Sequence, residues 1–212
     1  NLEVLENQYF RIVIDKKTGG LQEFYDESEI VIYCPSSNPY LIGQPVRETL
    51  PSRREMKKPS HSTVFNVKVN KGVKGDVWNS IKIAADLEGF TNGVEGAPKG
   101  LEWEICLYHN TKKEEFAYQA NKEILTSPEA LYVTFPFRMP NSRIVFETIG
   151  GSLTQGEQLP GSSSDWNVAQ NFVSVRGDKG QIIIVSDEVP LWHFSDFNMG
   201  KFERYPTAGK PW

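Results

Sequence analysis

The chain has 212 residues, 39% of them hydrophobic and 12% aromatic, and a formal net charge of −4. That balance belongs to a globular protein and excludes a chain too polar to bury a core. The acidic sign offers no whole-chain basic field, so nucleic acid and anionic membrane are not expected partners, and no apolar run approaches the roughly 18 residues of a spanning helix.

The sequence enters strand-like residues almost at once and without an initiating Met, which reads as a piece excised or processed from something longer. Phe10, Ile12 and Ile14 alternate with Arg11, Val13 and Asp15. Lys16-Lys17-Thr18-Gly19-Gly20 then supplies a glycine-bearing turn, and Leu21 to Tyr25 returns, so a β-hairpin is predicted. From Cys34 to Pro59 five prolines interrupt a stretch with no lasting period. Within it Arg47, Arg53, Arg54, Lys57 and Lys58 outnumber Glu48 and Glu55. This reads as a solvated basic loop, with a docking surface for another domain as the alternative.

Strands are predicted at Val64 to Val69, at Val77 to Leu87 after a turn at Gly72 and Gly75, and over Leu101, Trp103, Ile105 and Leu107. The glycines at 89, 93, 96 and 100 do not form a phosphate cradle, because a strand follows them where a phosphate loop needs a helix N-terminus. EEFAYQANKEIL fits both periods, and its strand neighbours decide for a strand. In SPEALYVTFPF, Leu131, Val133, Phe135 and Phe137 alternate as one core-facing row, and Pro136 makes this end an edge, a bulge or an exit. Ile182 to Val185 is an apolar run suited to a strand covered on both faces. Ser164 or Asp165 is placed to cap a short helical turn reaching Asn167. Ten or more strands with almost no helix predict one all-β domain over 1–212, a large antiparallel sandwich.

Chemistry is sparse. Cys34 and Cys106 are too few for a disulfide framework and are expected as packed thiols. His61, His109 and His193, the only histidines, are scattered, whereas a hydrolytic zinc site takes three closely arranged ligands, so no metal is expected in this chain. No Gly-x-Ser-x-Gly elbow surrounds Ser152 or Ser162. One constellation stands out, LPGSSSDWNVAQNF from Leu159 to Phe172. Asp165, Asn167, Gln170 and Asn171 offer carboxylate and amide groups for paired hydroxyls, and Trp166 an aromatic face for a sugar ring. The competing reading is a loop whose Trp anchors it to the core and whose Asp caps a turn.

SPEALYVTFPF resembles a segment of the β-rich region of α-mannosidase-like enzymes of glycoside hydrolase family 38, where a Glu-Ala-hydrophobic-Tyr run leads into Phe-Pro-Phe. LENQYFRIVIDKKTGGLQEFYD is similar to the first hairpin after the catalytic part of such enzymes. LPGSSSDWNVAQNFVSV followed by GQIIIVSDEVPLWHF is similar to the strands that come next, so the likeness runs from about Leu5 to Phe194. It implies a supersandwich like that of galactose mutarotase, packed on a catalytic α/β barrel that supplies zinc and an Asp nucleophile for retaining cleavage of α-mannosides. Nothing in this sequence resembles that barrel or its His-x-Asp zinc motif. The expectation is therefore a noncatalytic sandwich region without a cofactor of its own. Asp165, Trp166, Asn167 and Gln170 would lie nearest the rim of the mannoside pocket. An independent carbohydrate-binding module is the alternative, and a free-standing aldose epimerase rests on fold analogy alone. The absence of Asn-x-Ser/Thr sequons and the few cysteines suggest a bacterial cytoplasmic parent.

Overall fold

The computed structural model describes residues 2–27, 31–32, 39–52, 59–90, 100–122, 124–137, 139–159, 166–186 and 188–194. Among them are seventeen strands and no helix, and all strand pairings are antiparallel, so the all-β expectation holds. The chain divides into two compact units, Asn1–Phe137 and Arg138–Trp212.

The first unit contains β1 (Leu2–Glu6), β2 (Phe10–Asp15), β3 (Leu21–Asp26), β4 (Val31–Ile32), β5 (Gln44–Thr49), β6 (Ser60–Thr63), β7 (Phe65–Lys74), β8 (Trp78–Asp86), β9 (Leu101–Tyr108), β10 (Glu114–Ala120) and β11 (Glu129–Thr134). They form three sheets with strand orders β1-β2-β3-β4, β10-β9-β8-β7 and β11-β5-β6. The predicted hairpin is β2–β3. Its turn closes because Asp15 accepts the Gly19 N–H on its carbonyl at 2.7 Å and the Lys17 N–H on its carboxylate at 3.0 Å. Gly19 has φ +69°, and a Cβ there would collide with the Trp103 indole. The Trp103 Nε1–H reaches the Gly19 carbonyl at 3.4 Å, so β9 is seated directly under the turn.

β9 carries the cleanest sequence signal of the chain. Leu101, Trp103, Ile105 and Leu107 are buried and alternate with half-buried residues, and Ile12, Ile14, Leu21, Ile81 and Ile83 are among the other buried apolar residues of the unit. EEFAYQA forms β10, a strand as expected. Gly72 lies inside β7, where the register shifts between Lys71 and Lys74; the turn itself is at Gly75, whose N–H donates to the Trp78 carbonyl. Aromatic rings run from Trp103 through Tyr118, Phe116 and Phe135 to Phe137, with successive centroids 5.9 to 6.3 Å apart. The Phe-Pro-Phe ending thus belongs to this ring row: β11 stops at Thr134, and the Phe137 N–H turns back to the Phe135 carbonyl across Pro136 at 2.9 Å. The expected core-facing row does not hold along its whole length. Leu131 is 42% exposed, and among the described residues β11 is an edge strand paired with β5 alone.

The second unit contains β12 (Arg143–Thr148), β13 (Gly151–Thr154), β14 (Trp166–Val168), β15 (Phe172–Gly177), β16 (Gly180–Val185) and β17 (Leu191–His193). They form the sheets β13-β12-β15-β16 and β14-β17. Phe146, Ala169, Val173 and Phe194 make its core, with Ile144, Leu153 and Trp192 against them. The run Ile182 to Val185 is not covered on both faces: Ile184 sits opposite buried Val173, whereas Ile183 and Val185 are 58% and 62% exposed. Trp166 and Asn167 start a strand where a helical turn was expected, and Ser164 and Asp165 lie outside the described residues.

Across the sheet of the first unit, Asn79, Leu107 and Glu114 occupy one cross-strand row. Asn79 Oδ1 and Glu114 Oε1 are both sealed from solvent without a hydrogen bond. Glu114 as a residue is half-buried, but the sealed oxygen dominates, and burial pushes its carboxyl from 4.5 up to about 8. The folded chain therefore keeps this proton where the unfolded chain has lost it. Its contribution is complete below 4.5 and is lost as pH rises toward 8. We expect stability to fall by up to about 1.4 kcal/mol per pH unit across that interval on account of this group. In urea unfolding series at several pH values, Glu114→Gln should flatten the decline, and an unchanged profile in that variant would contradict the assignment.

Candidate functional site

The densest chemistry of the described residues surrounds β5. As the middle strand of its sheet β5 is desolvated on both faces, yet its sequence places Arg47 and Glu48 side by side, pointing to opposite faces. Both are buried, and Glu48 is 0% exposed. The sequence reading of a solvated basic loop is thus corrected at these two positions; residues 53–58, including Arg53, Arg54, Lys57 and Lys58, lie outside the described residues. A charge so placed needs a partner, because an unpaired buried ion costs several kcal/mol.

On one face Arg47 Nε donates to Glu129 Oε2 at 2.8 Å, and its Nη1 lies 3.6 Å from the exposed Glu88 carboxylate. Lys122 bonds the other oxygen of Glu129. Partial burial pushes the Glu129 carboxyl up, but the hydrogen bonds from Lys122 and Arg47 outweigh it and hold the group below the usual range. Gly89, at φ +84°, leaves room for the guanidinium: a Cβ there would stand 2.9 Å from Arg47 Cζ. On the other face Glu48 lies between Ala130 of β11 and His61 of β6. His61 Nε2 is 2.7 Å from Glu48 Oε2, and the Tyr132 hydroxyl donates to Glu48 Oε1 at 3.4 Å. Burial, and then the charge and hydrogen bond of Glu48, push the Tyr132 phenol up. The arrangement orients an imidazole against a buried carboxyl group by a hydrogen bond.

Sequence reasoning singled out none of Glu48, His61, Glu129 and Tyr132 as a group. Glu48 and His61 are thirteen residues apart and meet only through the β5–β6 register. Glu129 and Tyr132 lie inside the segment chosen for its apolar row, and their spacing of three sends them to opposite faces of β11.

The sugar-recognition candidates lie in the second unit. Asp165 is outside the described residues. Trp166 is half-buried, with its ring edge-on to His193 at 4.7 Å between centroids. Asn167 is buried, and its Oδ1 accepts from Gln158 Nε2 at 3.0 Å. Gln170 is exposed, and its backbone N–H donates to the Glu147 carbonyl at 2.9 Å. Next to it Asn171 Nδ2 donates to the Glu147 carboxylate at 2.8 Å. The strand alternation of β14 sends Trp166 and Asn167 to opposite faces, so the structure joins Trp166 to His193 and Asn167 to Gln158. It does not gather Trp166 and Asn167 on one surface.

No family model matches the chain, and no curated protein matches it either. Among the described residues no three His, Cys, Asp or Glu side chains are grouped to hold a metal ion. Cys106 is half-buried, and burial, with Glu104 and Glu115 nearby, pushes its thiol up to about 11, which suppresses the reactive thiolate.

The Glu48–His61 contact sets a direct expectation. His61→Ala removes a 2.7 Å hydrogen bond to a fully buried carboxylate and should cost about 1–3 kcal/mol. His61→Gln, which keeps a donor, should recover part of the loss. Urea midpoints of the three proteins measure this, and equal midpoints would mean that the pair contributes nothing.

Proposed function

We propose that the chain is a noncatalytic β-sandwich region of an α-mannosidase-like glycoside hydrolase, with the galactose mutarotase-like supersandwich as its fold class. In this reading it packs on a catalytic barrel and shapes the rim of the mannoside pocket. The observation that carries the reading is the order of the three segments that resemble family 38. The middle one, SPEALYVTFPF, forms an edge strand in an all-β chain. A second observation supports it. Ile124 is 98% exposed, and Leu125 and Leu131 are also exposed, so apolar side chains stand in solvent in and just before that segment. Such surface is what a neighbouring domain covers.

Zinc would be held by the barrel. The described residues of this chain do not fit it, since they group no set of three ligands, and the proposed role routes no step through a metal. The rim contribution falls to Asp165, Trp166, Asn167 and Gln170, of which Trp166 is half-buried and Gln170 exposed in the described structure. That exposure also motivates the second reading, an independent carbohydrate-binding module.

The coding sequence upstream of this stretch is expected to encode an α/β barrel with clustered His and Asp; an open frame without one would remove the first reading. The purified chain with zinc and a chromogenic α-mannoside should give no turnover, and turnover would contradict a noncatalytic role. In calorimetry with mannose and short mannosides, heat that disappears in Trp166→Ala would move the assignment to the binding module.

A further inference from the structure

Among the described residues β16 is an edge strand paired only with β15. The two-residue turn at 178 and 179 closes on the Gly177–Gly180 pair, which in such a hairpin is a hydrogen-bonded pair. Bonded and non-bonded pairs alternate along an antiparallel ladder. Residues 182 and 184 therefore turn their backbone groups toward β15, whereas Gln181, Ile183 and Val185 turn theirs outward. The same three residues share one face of the sheet, where Ile183 and Val185 are exposed.

Edge strands are normally guarded by charge. Every other edge strand of five or more described residues carries it: Glu3 and Glu6 on β1, three lysines on β7, Glu115 on β10, and Glu129 on β11. β16, GQIIIV, has no charge and no proline, and its centre is three isoleucines. In a two-fold antiparallel pairing each residue meets itself or a symmetric neighbour, so a charge near the axis would repel its own copy. An uncharged, β-branched edge escapes that penalty.

We propose that β16 is a self-pairing edge whose occupant is the β16 of a second copy of this chain, joined antiparallel about a two-fold axis near Ile183. Gln181 then faces Val185 of the second copy, and the two sheets continue as one eight-stranded sheet. Ile183 and Val185 of both copies make one apolar row on the same face. This goes beyond the domain reading above and does not depend on it.

Sedimentation of the full chain from low to high micromolar concentration tests the proposal. The expected result is a monomer–dimer equilibrium, with hydrogen-exchange protection at Gln181, Ile183 and Val185 that grows with concentration. Ile183→Lys should weaken the dimer by about tenfold or more by setting like charges across the axis. Val185→Lys, which puts a charge in the apolar row opposite Gln181 of the second copy, should weaken the dimer less and serves should the first variant fold poorly. Val168→Lys, at an exposed apolar site on β14, should leave the dimer intact. A strict monomer, growth beyond two copies, or association that responds to Val168→Lys and not to the β16 variants would each overturn the proposal.

Discussion

Two oppositely charged side chains stand next to each other on a strand that water reaches on neither face, and the middle of the first unit is arranged around that constraint. Arg47 and Glu48 cannot share one partner, because adjacent residues of a strand point to opposite sides. Arg47 is answered by Glu129 of β11, and Glu48 by His61 of β6 and Tyr132 of β11. Both flanking strands are thereby fixed at once. A slip of either by one residue would turn its partner group to the wrong face and leave a buried charge unpaired, at a cost of about 3–5 kcal/mol. That is a large fraction of the roughly 5–15 kcal/mol that holds a whole domain together.

The elements around this sheet depend on the lock in different ways. Glu129, which answers Arg47, opens β11, and the chain runs from its end at Thr134 into Phe135-Pro136-Phe137, so its register also sets where Phe135 meets Phe116. Gly43 precedes β5 with φ +74°, receives the Tyr118 hydroxyl on its carbonyl at 2.7 Å, and would clash with the Phe116 ring if it carried a Cβ. Ile42 bridges to Leu21, which ties β5 to the first hairpin. The second unit works differently: its core is apolar and small, and seven large aliphatic side chains among its described residues are exposed.

What the sequence revealed follows the physics of alternation. LEWEICLY is legible because apolar and polar residues alternate strictly in a strand buried on one side. The first hairpin is legible because its strand pattern is punctuated by Gly19 at a left-handed position that a side chain would strain. β5 is not legible: QPVRET has one large aliphatic residue, and its burial is sustained by polar pairs formed with residues 13 to 82 positions away. Hydrophobic patterning cannot register a buried arginine. β16 misleads in the opposite sense, because four consecutive aliphatic residues read as doubly covered although one face of that strand meets solvent. At the candidate site, Trp166 and Asn167 are neighbours in sequence, which hides that a strand separates them onto two faces.

The measurement that tests the central claim most directly is a double-mutant cycle on Arg47 and Glu129, using Arg47→Ala, Glu129→Ala and the double variant in urea unfolding. If these paired charges hold β11 on β5, the two losses are strongly non-additive, with a coupling of about 2 kcal/mol or more. Additive losses would contradict the account and place the origin of the register in the apolar contacts alone.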